Sequence, residues 1–366
     1  MESINLTEPT HMPNDLRSTT PTPLTVGIPY RDEGQDFALL AGGLSQALDA
    51  LPAEVLREVV FCVNGSPEGF DRHLEVLARE SPLGHHGVRV ITSAEGKLTA
   101  QQAIVDARLL AGYLAFVDSD VVLETNALHC LWDILESDSD CMVSYGQPVA
   151  VFPKTFNWVH LLLRTHYSLR ERAYRRAYFH GRAFMVRHWF LEPPTSEQAQ
   201  HSAPGKRLQL HKGPLVDDIV LSRIAVATWG PESIREVQEA NVYFDPPDTL
   251  RGLYAAHLRV ALELQRLDLL YPGHSHLQER VLTANWRPEA IQRFSRRLRL
   301  LHACYRLLEG SLRRAARIHV ALVKAGLLNL DTLWVCIPGT KSFARHRNSW
   351  RSFRSDPCRP KPPEKS

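Results

Sequence analysis

The stretch Tyr113-Leu-Ala-Phe-Val-Asp-Ser-Asp120 is the most informative part of this chain, because an apolar run ends there in two aspartates one residue apart. The run predicts a buried strand, which places Asp118 and Asp120 at its carboxyl end. Open α/β sheets bind nucleotides at that edge. Two hard oxygen ligands suit Mg²⁺ or Mn²⁺, which also take phosphate oxygens as ligands. The stretch therefore predicts a protein that handles a nucleotide diphosphate compound.

Strand and helix patterns alternate around this stretch. The predicted strands are Leu24–Pro29, Glu58–Val63, Val88–Ile91, Tyr113–Val117 and Cys141–Tyr145, and the predicted helices are Phe37–Leu51, Phe70–Arg79, Leu98–Leu110 and Leu123–Glu136. Such alternation predicts an α/β fold with a doubly wound, mostly parallel sheet.

The alternation stops after Tyr145. The elements predicted beyond it are helix Phe156–Tyr178, strand Phe184–Val186, helix Val216–Ala227, strand Ala240–Phe244, and two long helices, Thr249–Leu270 and Glu289–Gly326. The polar segment Leu191–Gly213 is rich in proline, glutamine and histidine, and we expect it to be a lid over a site.

The composition is that of a globular protein, with 366 residues of which 44% are hydrophobic. No apolar run approaches the roughly 20 residues needed to cross a bilayer. The segment Met1–Pro23 contains no apolar core of a secretory signal. We therefore expect a cytoplasmic protein, and its six scattered cysteines should be reduced.

Positive charge is concentrated near the C-terminus. Ten lysines and arginines lie from Trp286 to Lys324, against two glutamates. Apolar residues recur at helical spacing within the same segment. This segment either packs its apolar face on the domain or makes a peripheral contact with a membrane, at its inner face, or with a lipid-linked acceptor. The chain has no motif that reads RNA or DNA, so no nucleic-acid partner is expected.

Short motifs close the first two predicted strands and precede the helix that leads to Asp118. They are Ile28-Pro29-Tyr30-Arg31-Asp32-Glu33, Phe61-Cys62-Val63-Asn64-Gly65-Ser66 and Gly96-Lys97. Lys97 would stand beside the free backbone N–H groups of a helix N-terminus, which suits a diphosphate.

Three more motifs lie beyond Tyr145. They are His180-Gly181-Arg182-Ala183-Phe184-Met185-Val186-Arg187, Val216-Asp217-Asp218-Ile219 and Ala256-His257-Leu258-Arg259-Val260. In order and spacing, the motifs from about Leu24 to Arg259 resemble those of the inverting family 2 glycosyltransferases, which have the GT-A fold. Three departures stand out: Asp32 replaces an asparagine, Val63 replaces an acidic residue, and the glutamine and tryptophan that normally flank Arg259 are missing. The last departure argues against a processive polysaccharide synthase.

The resemblance implies a reaction in which a sugar moves from a UDP- or GDP-sugar to an acceptor hydroxyl with inversion. The acceptor class stays open between a small molecule, a glycan and a lipid-linked molecule. Asp118 and Asp120 would hold Mn²⁺ or Mg²⁺, and Asp218 would be the general base. The residues implied to bind donor or acceptor are Pro29, Glu33, Asn64, Lys97, Asp118, Gly181, Asp217 and Arg259.

The resemblance also divides the chain. Residues 24–145 would form the nucleotide-sugar-binding half, 146–260 the acceptor-binding half and 261–341 a helical, basic extension. Segments 1–23 and 342–366 are expected to be disordered.

Two other functions fit the same acidic sheet edge. A nucleotidyltransferase would use a similar metal site, although it usually has a Gly-rich, basic loop after the first strand. A non-catalytic protein that binds nucleotide sugars would need no base, and Asp217 and Asp218 would then only balance a helix dipole. The pair His85-His86 has no zinc-motif spacing and is expected to lie in a loop.

Overall fold

The structure is a computed structural model of the chain. It describes residues 21–31, 36–65, 68–152, 157–175, 179–190, 217–247, 249–270, 285–286, 292 and 294–328. The predicted lid, the C-terminal tail, most of the N-terminal segment and Glu33 lie outside the described residues.

Eight strands form one mixed sheet, and two short strands form a separate pair. The strands are β1 Leu24–Tyr30, β2 Arg57–Asn64, β3 Val88–Ser93, β4 Tyr113–Val117, β5 Val121–Leu123, β6 Val143–Ala150, β7 Tyr174–Arg175, β8 Ala183–Val186, β9 Ile234–Phe244 and β10 Asn285–Trp286. The order in the main sheet is β3-β2-β1-β4-β8-β6-β9-β5, and β7 pairs with β10. Strands β3, β2, β1 and β4 are parallel, as are β6 and β9.

Helices cover both faces of the sheet, and two further helices follow at the C-terminal end of the chain. They are α1 Phe37–Asp49, α2 Phe70–Glu80, α3 Lys97–Ala107, α4 Ala127–Ser137, α5 Trp158–Ala173, α6 Asp217–Trp229, α7 Leu250–Leu270 and α8 Arg296–Lys324. The predicted α/β class is confirmed. Among the described residues no helix is long and apolar enough to cross a membrane.

The central strands are apolar throughout because both of their faces are buried. In β2, Val59, Phe61 and Val63 pack into one core with α1, α2 and α4, whereas Val60 and Cys62 pack into the opposite core with α3 and α6. This alternation follows from the two-residue period of a strand. Burial of both faces explains why β1, β2 and β4 are recognisable as short apolar runs.

The strand after the two aspartates is absent from the predictions. The sequence pattern starts a helix at Leu123, and this is wrong. Val121–Leu123 forms β5, which pairs antiparallel with the end of β9, and α4 begins only at Ala127. The partner of β5 lies more than a hundred residues away, so the local pattern carries no signal for it.

Strand β6 is also longer than predicted, because it runs from Val143 to Ala150 and not from Cys141 to Tyr145. Pro148 would normally end such a strand. Here β8 pairs with Val143–Tyr145, and beyond that point β6 is paired with β9. On the side that β8 has left, the missing N–H of Pro148 interrupts no hydrogen bond of the sheet. Strand β9 is likewise extended, starting at Ile234 instead of Ala240.

Strand β8 determines how the second half of the chain meets the first. It lies antiparallel between β4 and β6, with Ala183 opposite Val117. The residues before β8 therefore reach the carboxyl end of β4. There the backbone N–H of Asp118 donates to the carbonyl of Arg182 at 2.8 Å.

The C-terminal helices form a helical layer of their own. Leu258 and Leu262 of α7 pack with Ala316 and Val320 of α8, and α8 also contacts α5. Helix α8 begins later than the predicted Glu289, because the Ser295 side chain accepts a hydrogen bond from the N–H of Leu298 and caps the helix. The helix predicted over Phe156–Tyr178 is too long, because α5 ends at Ala173 and Tyr174–Arg175 forms β7, which pairs with β10. Where the structure describes them, the remaining predicted helices agree with it to within a few residues.

A buried carboxylate ties the first strands together and yields a stability prediction. Glu58 accepts hydrogen bonds from Thr25 Oγ1, from the N–H groups of Leu109 and Leu110, and from Arg89 Nη2. Burial raises the pKa of Glu58, but these hydrogen bonds outweigh it and the net shift is downward. Replacing Glu58 with glutamine should lower the free energy of unfolding by about 2–3 kcal/mol at pH 7.

The effect should depend on pH in a defined direction. A depressed pKa adds stability above the ordinary value of 4.5, and that stability is lost as the pH falls through the folded-state pKa. Urea unfolding should therefore show the two proteins converging at acidic pH. The Glu75→Gln variant is the control, because Glu75 pairs with Arg79 in an exposed position and should contribute under about 1 kcal/mol. Equal unfolding midpoints for wild type and Glu58→Gln at pH 7 would contradict this account.

Candidate active site

The carboxyl ends of β1, β2 and β4 meet at one edge of the sheet, and acidic side chains lie there. Asp118 follows the last residue of β4, and Asp120 precedes β5. Both aspartates are half-buried. Their position is the one that the sequence predicts.

Helix α3 brings a lysine to this edge. Gly96 has a φ of 138°, a backbone conformation that favours glycine, and Lys97 is the first residue of the helix. The Lys97 ammonium lies 2.5 Å from Asp118 Oδ1 and 2.9 Å from Asp217 Oδ1. It also donates to the carbonyl of Gly181 at 3.4 Å. Lys97 therefore joins three segments that are far apart in the sequence.

The two aspartates that begin α6 have different surroundings. Asp217 is buried, and its Oδ2 accepts a hydrogen bond from Gln101 Nε2 at 2.8 Å. Asp218 Oδ2 accepts from the N–H of Gly181 at 3.3 Å. Asp218 Oδ1 is buried without a hydrogen-bond partner among the described residues. Asp217 is thus fully engaged, whereas Asp218 keeps one oxygen available.

Gly181 packs closely against both of these aspartates. A Cβ atom added there would lie 3.0 Å from Asp217 Oδ1 and 3.0 Å from Asp218 Cβ. A side chain at this position would therefore crowd both aspartates, which would have to shift by a few tenths of an ångström.

Burial and mutual repulsion shift the pKa values at this edge. For Lys97, burial disfavours the charged form, but attraction to Asp118 and Asp217 outweighs it and raises the pKa. Burial raises the pKa of Asp118 to about 7; Lys97 opposes the shift, and Asp120 and Asp217 add to it. Burial and the charge of Asp217 also raise the pKa of Asp218. The edge therefore has an excess of carboxylate charge that a bound cation would stabilise.

Asp118 and Asp120 are the residues that could hold a divalent metal. No described residue donates a hydrogen bond to the Asp120 carboxylate, which leaves it available as a ligand. Mg²⁺ is typically bound through one or two carboxylates together with substrate phosphates. Two carboxylates beside the Lys97 ammonium, which would also attract phosphates, fit Mg²⁺ or Mn²⁺.

Arg182 belongs to the site and is missing from the predicted site residues. Its guanidinium lies 3.5 Å above the ring of Phe244, an arrangement that favours a cation. Burial lowers the pKa of Arg182, against the charges of Tyr167, Asp120, Asp118 and Asp218. A basic residue directly before the apolar strand β8 is the signal that could have identified it.

Gln101 is a second residue that the sequence analysis misses. It lies four residues after Lys97 and therefore on the same face of α3. That spacing to a predicted site residue is the signal that could have identified it. Its amide holds Asp217.

The remaining predicted residues lie around this centre. Pro29 is the next-to-last residue of β1, which pairs with β4, and Asn64 ends β2 on the other side of β1. Asn64 Nδ2 donates to the carbonyl of Tyr30 at 3.3 Å. Arg259 is exposed on α7 and close enough for its charge to favour the ionised form of Asp218. Glu33 lies outside the described residues.

Comparisons with known proteins find matches among solved structures. No family model matches the sequence, and no curated protein matches it. The chain is similar to GalNAc-T7 with UDP, GalNAc and Mn²⁺, at 14% identity and a TM-score of 0.41, over 61% of this chain and 43% of that one. It is similar to glucosyl-3-phosphoglycerate synthase from Mycobacterium tuberculosis with Mn²⁺, UDP-glucose and phosphoglyceric acid, at 16% identity and a TM-score of 0.39, over 67% and 79%. It is also similar to the mannosyltransferase PcManGT from Pyrobaculum calidifontis with GDP-Man and Mn²⁺, at 15% identity and a TM-score of 0.41, over 86% and 88%.

Proposed function

We propose that this chain is a metal-dependent, inverting glycosyltransferase of the GT-A type, similar to family 2, with a UDP- or GDP-sugar as donor. One observation carries the proposal: the carboxylates after β4, the Lys97 ammonium and Asp218 with an unpaired oxygen all meet at one edge of the sheet. Open α/β sheets in general bind nucleotides at this edge. A reaction that expels a diphosphate and deprotonates a hydroxyl needs these groups together.

The donor half of the site would use the groups on β4 and α3. Asp118 and Asp120 would hold Mn²⁺ or Mg²⁺, which when bound neutralises the diphosphate as it leaves. Lys97 would add a positive charge beside the N-terminal N–H groups of α3. Pro29, Glu33 and Asn64 would line the nucleotide, within a donor half formed by residues 24–145.

Asp218 would be the general base. In a single displacement the acceptor hydroxyl oxygen bonds to the anomeric carbon while the bond from that carbon to the diphosphate breaks. The hydroxyl proton passes to Asp218, and the nucleoside diphosphate leaves with the electron pair. Asp218 Oδ1 is the oxygen without a partner, and burial raises the Asp218 pKa toward the range in which a base works well. Attack from the face opposite the leaving group gives inversion.

Asp217 would be a positioning residue. Both of its oxygens are occupied, by Lys97 and by Gln101. Gly181 and Arg259 would lie on the acceptor side, within the half formed by residues 146–260. The acceptor would be a small molecule, a glycan or a lipid-linked hydroxyl compound.

A panel of nucleotide sugars tests the proposal. Purified protein is incubated with UDP-glucose, GDP-mannose and related donors, with Mn²⁺, with Mg²⁺ or with a chelator, and the released nucleoside diphosphate is measured. We expect slow hydrolysis of one nucleotide class, lost in the chelator. No cleavage of any donor would favour a non-catalytic binding protein, and release of sugar phosphate would favour a nucleotidyltransferase.

The outer face of α8 also supports a peripheral contact with a membrane. Its inner face packs on α5 and α7 through residues such as Tyr305 and Val320. The outer face exposes an apolar row, Leu300, Leu307, Ile318 and Leu322, and a neighbouring basic row, Arg299, Arg306, Arg313, Arg317 and Lys324. An apolar row beside a basic row is typical of helices that lie in the interface of an anionic membrane. This contact would bring the site to the inner face of a membrane.

Flotation with anionic liposomes tests the α8 contact. We expect the protein to float with the vesicles at low salt and to be released at high salt, because exposed charges are screened beyond about 8 Å at physiological ionic strength. The Leu307→Asp and Arg317→Glu variants should both weaken flotation. The control Arg72→Glu, an exposed change on α2, should not. If all four proteins floated equally, or if wild type did not float at low salt, α8 would have only a packing role.

A further inference from the structure

A second cluster of ligand-type side chains lies far from the candidate active site. Asp49 ends α1, and His85 and His86 lie in the turn before β3. Helix α1 runs back from the carboxyl end of β1, and the turn precedes β3, so the cluster lies at the amino edge of the parallel strands. The aspartates after β4 lie at the opposite edge.

The donor atoms of this cluster converge. Asp49 Oδ1 lies 3.4 Å from His85 Nε2 and 3.5 Å from His86 Nε2. The three ligand atoms all lie within 4.8 Å of one another. Bonds of about 2.0–2.1 Å at tetrahedral angles around Zn²⁺ place neighbouring ligands about 3.3 Å apart. The two separations from Asp49 are close to that value, and the two histidine nitrogens lie within 4.8 Å of each other.

The turn that carries the histidines is fixed before any ion binds. A Cβ atom on Gly84 would lie 2.3 Å from the Arg79 carbonyl oxygen, so only glycine fits there. Gly87 has a φ of +69°. The N–H of His86 donates to the Leu83 carbonyl at 2.9 Å. Two consecutive histidines are thereby turned toward the end of α1.

Exposure in the cluster suits an ion that keeps a water ligand. The His86 side chain is 2% exposed, whereas His85 is 60% and Asp49 is 55% exposed. We propose that Asp49, His85 and His86 form a binding site for a borderline transition-metal ion such as Zn²⁺, with solvent completing a tetrahedral shell. The ion would join the end of α1 to the turn before β3. Among the described residues this is the one cluster of three such ligands.

Some neighbouring groups favour metal binding at this site, and others disfavour it. Burial, together with the charges of His85 and Arg57, lowers the pKa of His86, against Asp49 and Ser45. His86 Nε2 also lies 3.3 Å from Ser45 Oγ, whose own hydrogen is donated to the Pro82 carbonyl. Metal binding must replace the proton that His86 shares with Ser45. Affinity should therefore fall as the pH decreases.

Calorimetric titration with Zn²⁺ tests the site in an Asp120→Ala background, where the carboxylates after β4 contribute least. We expect binding to be at least tenfold weaker when His85→Ala or Asp49→Asn is added, and unchanged when the exposed His73→Ala is added as a control. Co²⁺ should give the visible absorption of a tetrahedral complex, which the same two changes should abolish. Zn²⁺ should also raise the melting temperature unless His85 is replaced.

The site does not depend on the proposed reaction. His85→Ala in the otherwise unchanged protein should leave Mn²⁺-dependent nucleotide binding as it is. Zn²⁺ affinity that is the same with and without His85→Ala and Asp49→Asn would overturn the proposal, as would the absence of Zn²⁺ binding in the Asp120→Ala background.

Discussion

Replacing Asp218 with asparagine is expected to reduce sugar transfer by a factor of about 10²–10⁴, the usual loss when a general base is removed. The amide keeps the shape of the carboxylate and can still accept the hydrogen bond from Gly181. It cannot take a proton from the acceptor. Donor affinity should stay near that of wild type, because Asp218 would meet the acceptor hydroxyl and not the diphosphate. Initial rates and donor dissociation constants measured on the same preparations separate the two effects.

Asp217→Asn is the matched control for Asp218→Asn. It removes an equal charge one residue away, from a carboxylate already engaged by Lys97 and Gln101. We expect a milder loss of transfer than at Asp218. A fully active Asp218→Asn variant would refute the assignment of the base. A larger defect in the Asp217→Asn variant would assign the general base to Asp217 instead.

Replacing Asp120 with alanine should abolish the metal-dependent part of nucleotide binding. Among the described residues its carboxylate has no hydrogen-bond donor, so its removal should cost the fold little. A ligand of the metal that holds the diphosphate is lost, and the affinity for UDP or GDP in Mn²⁺ should fall at least a hundredfold, roughly 2.8 kcal/mol. Calorimetry with and without Mn²⁺ measures this directly.

Asp133→Ala is the control for Asp120→Ala, because it removes an exposed acid from α4. It should leave Mn²⁺-dependent nucleotide affinity unchanged. If the Asp120→Ala variant bound the Mn²⁺–nucleotide complex as tightly as wild type, the assignment of the metal to Asp118 and Asp120 would be wrong.

The first half of the fold is predictable from sequence because its signals are local. Strands such as β2 and β4 are buried on both faces, so each one is a short apolar run bounded by polar residues. The helices between them follow from helical spacing. In contrast, β5 pairs with β9 across more than a hundred residues, and the full length of β9 depends on its pairing with β6, which lies far earlier in the chain. The antiparallel direction of β8 is likewise a property of the assembled sheet.

The candidate site, like the fold, has a part that local motifs predict and a part that they do not. Lys97, Asp118, Gly181, Asp217 and Asp218 belong to motifs with recognisable spacing, and the structure brings them together.

Arg182 lies in the motif that begins at His180 but is not among the predicted site residues, and Gln101 belongs to no motif. Arg182 matters because Phe244, far along the chain, provides the surface beneath it. Gln101 matters because the buried Asp217 needs a second donor. The same limit applies to His85 and His86, whose partner Asp49 lies more than thirty residues earlier and is brought close only by the fold.

The most direct test of the central claim is to follow a nucleotide sugar by phosphorus and proton NMR in the presence of the protein and Mg²⁺, which is diamagnetic and does not broaden the signals. We predict that the donor signals decay, that the signals of the nucleoside diphosphate replace them, and that the released or transferred sugar appears with the opposite anomeric configuration. Cleavage between the two phosphates, an unchanged anomeric configuration, or stable donor signals with every nucleotide sugar would contradict the proposed metal-dependent, inverting sugar transfer.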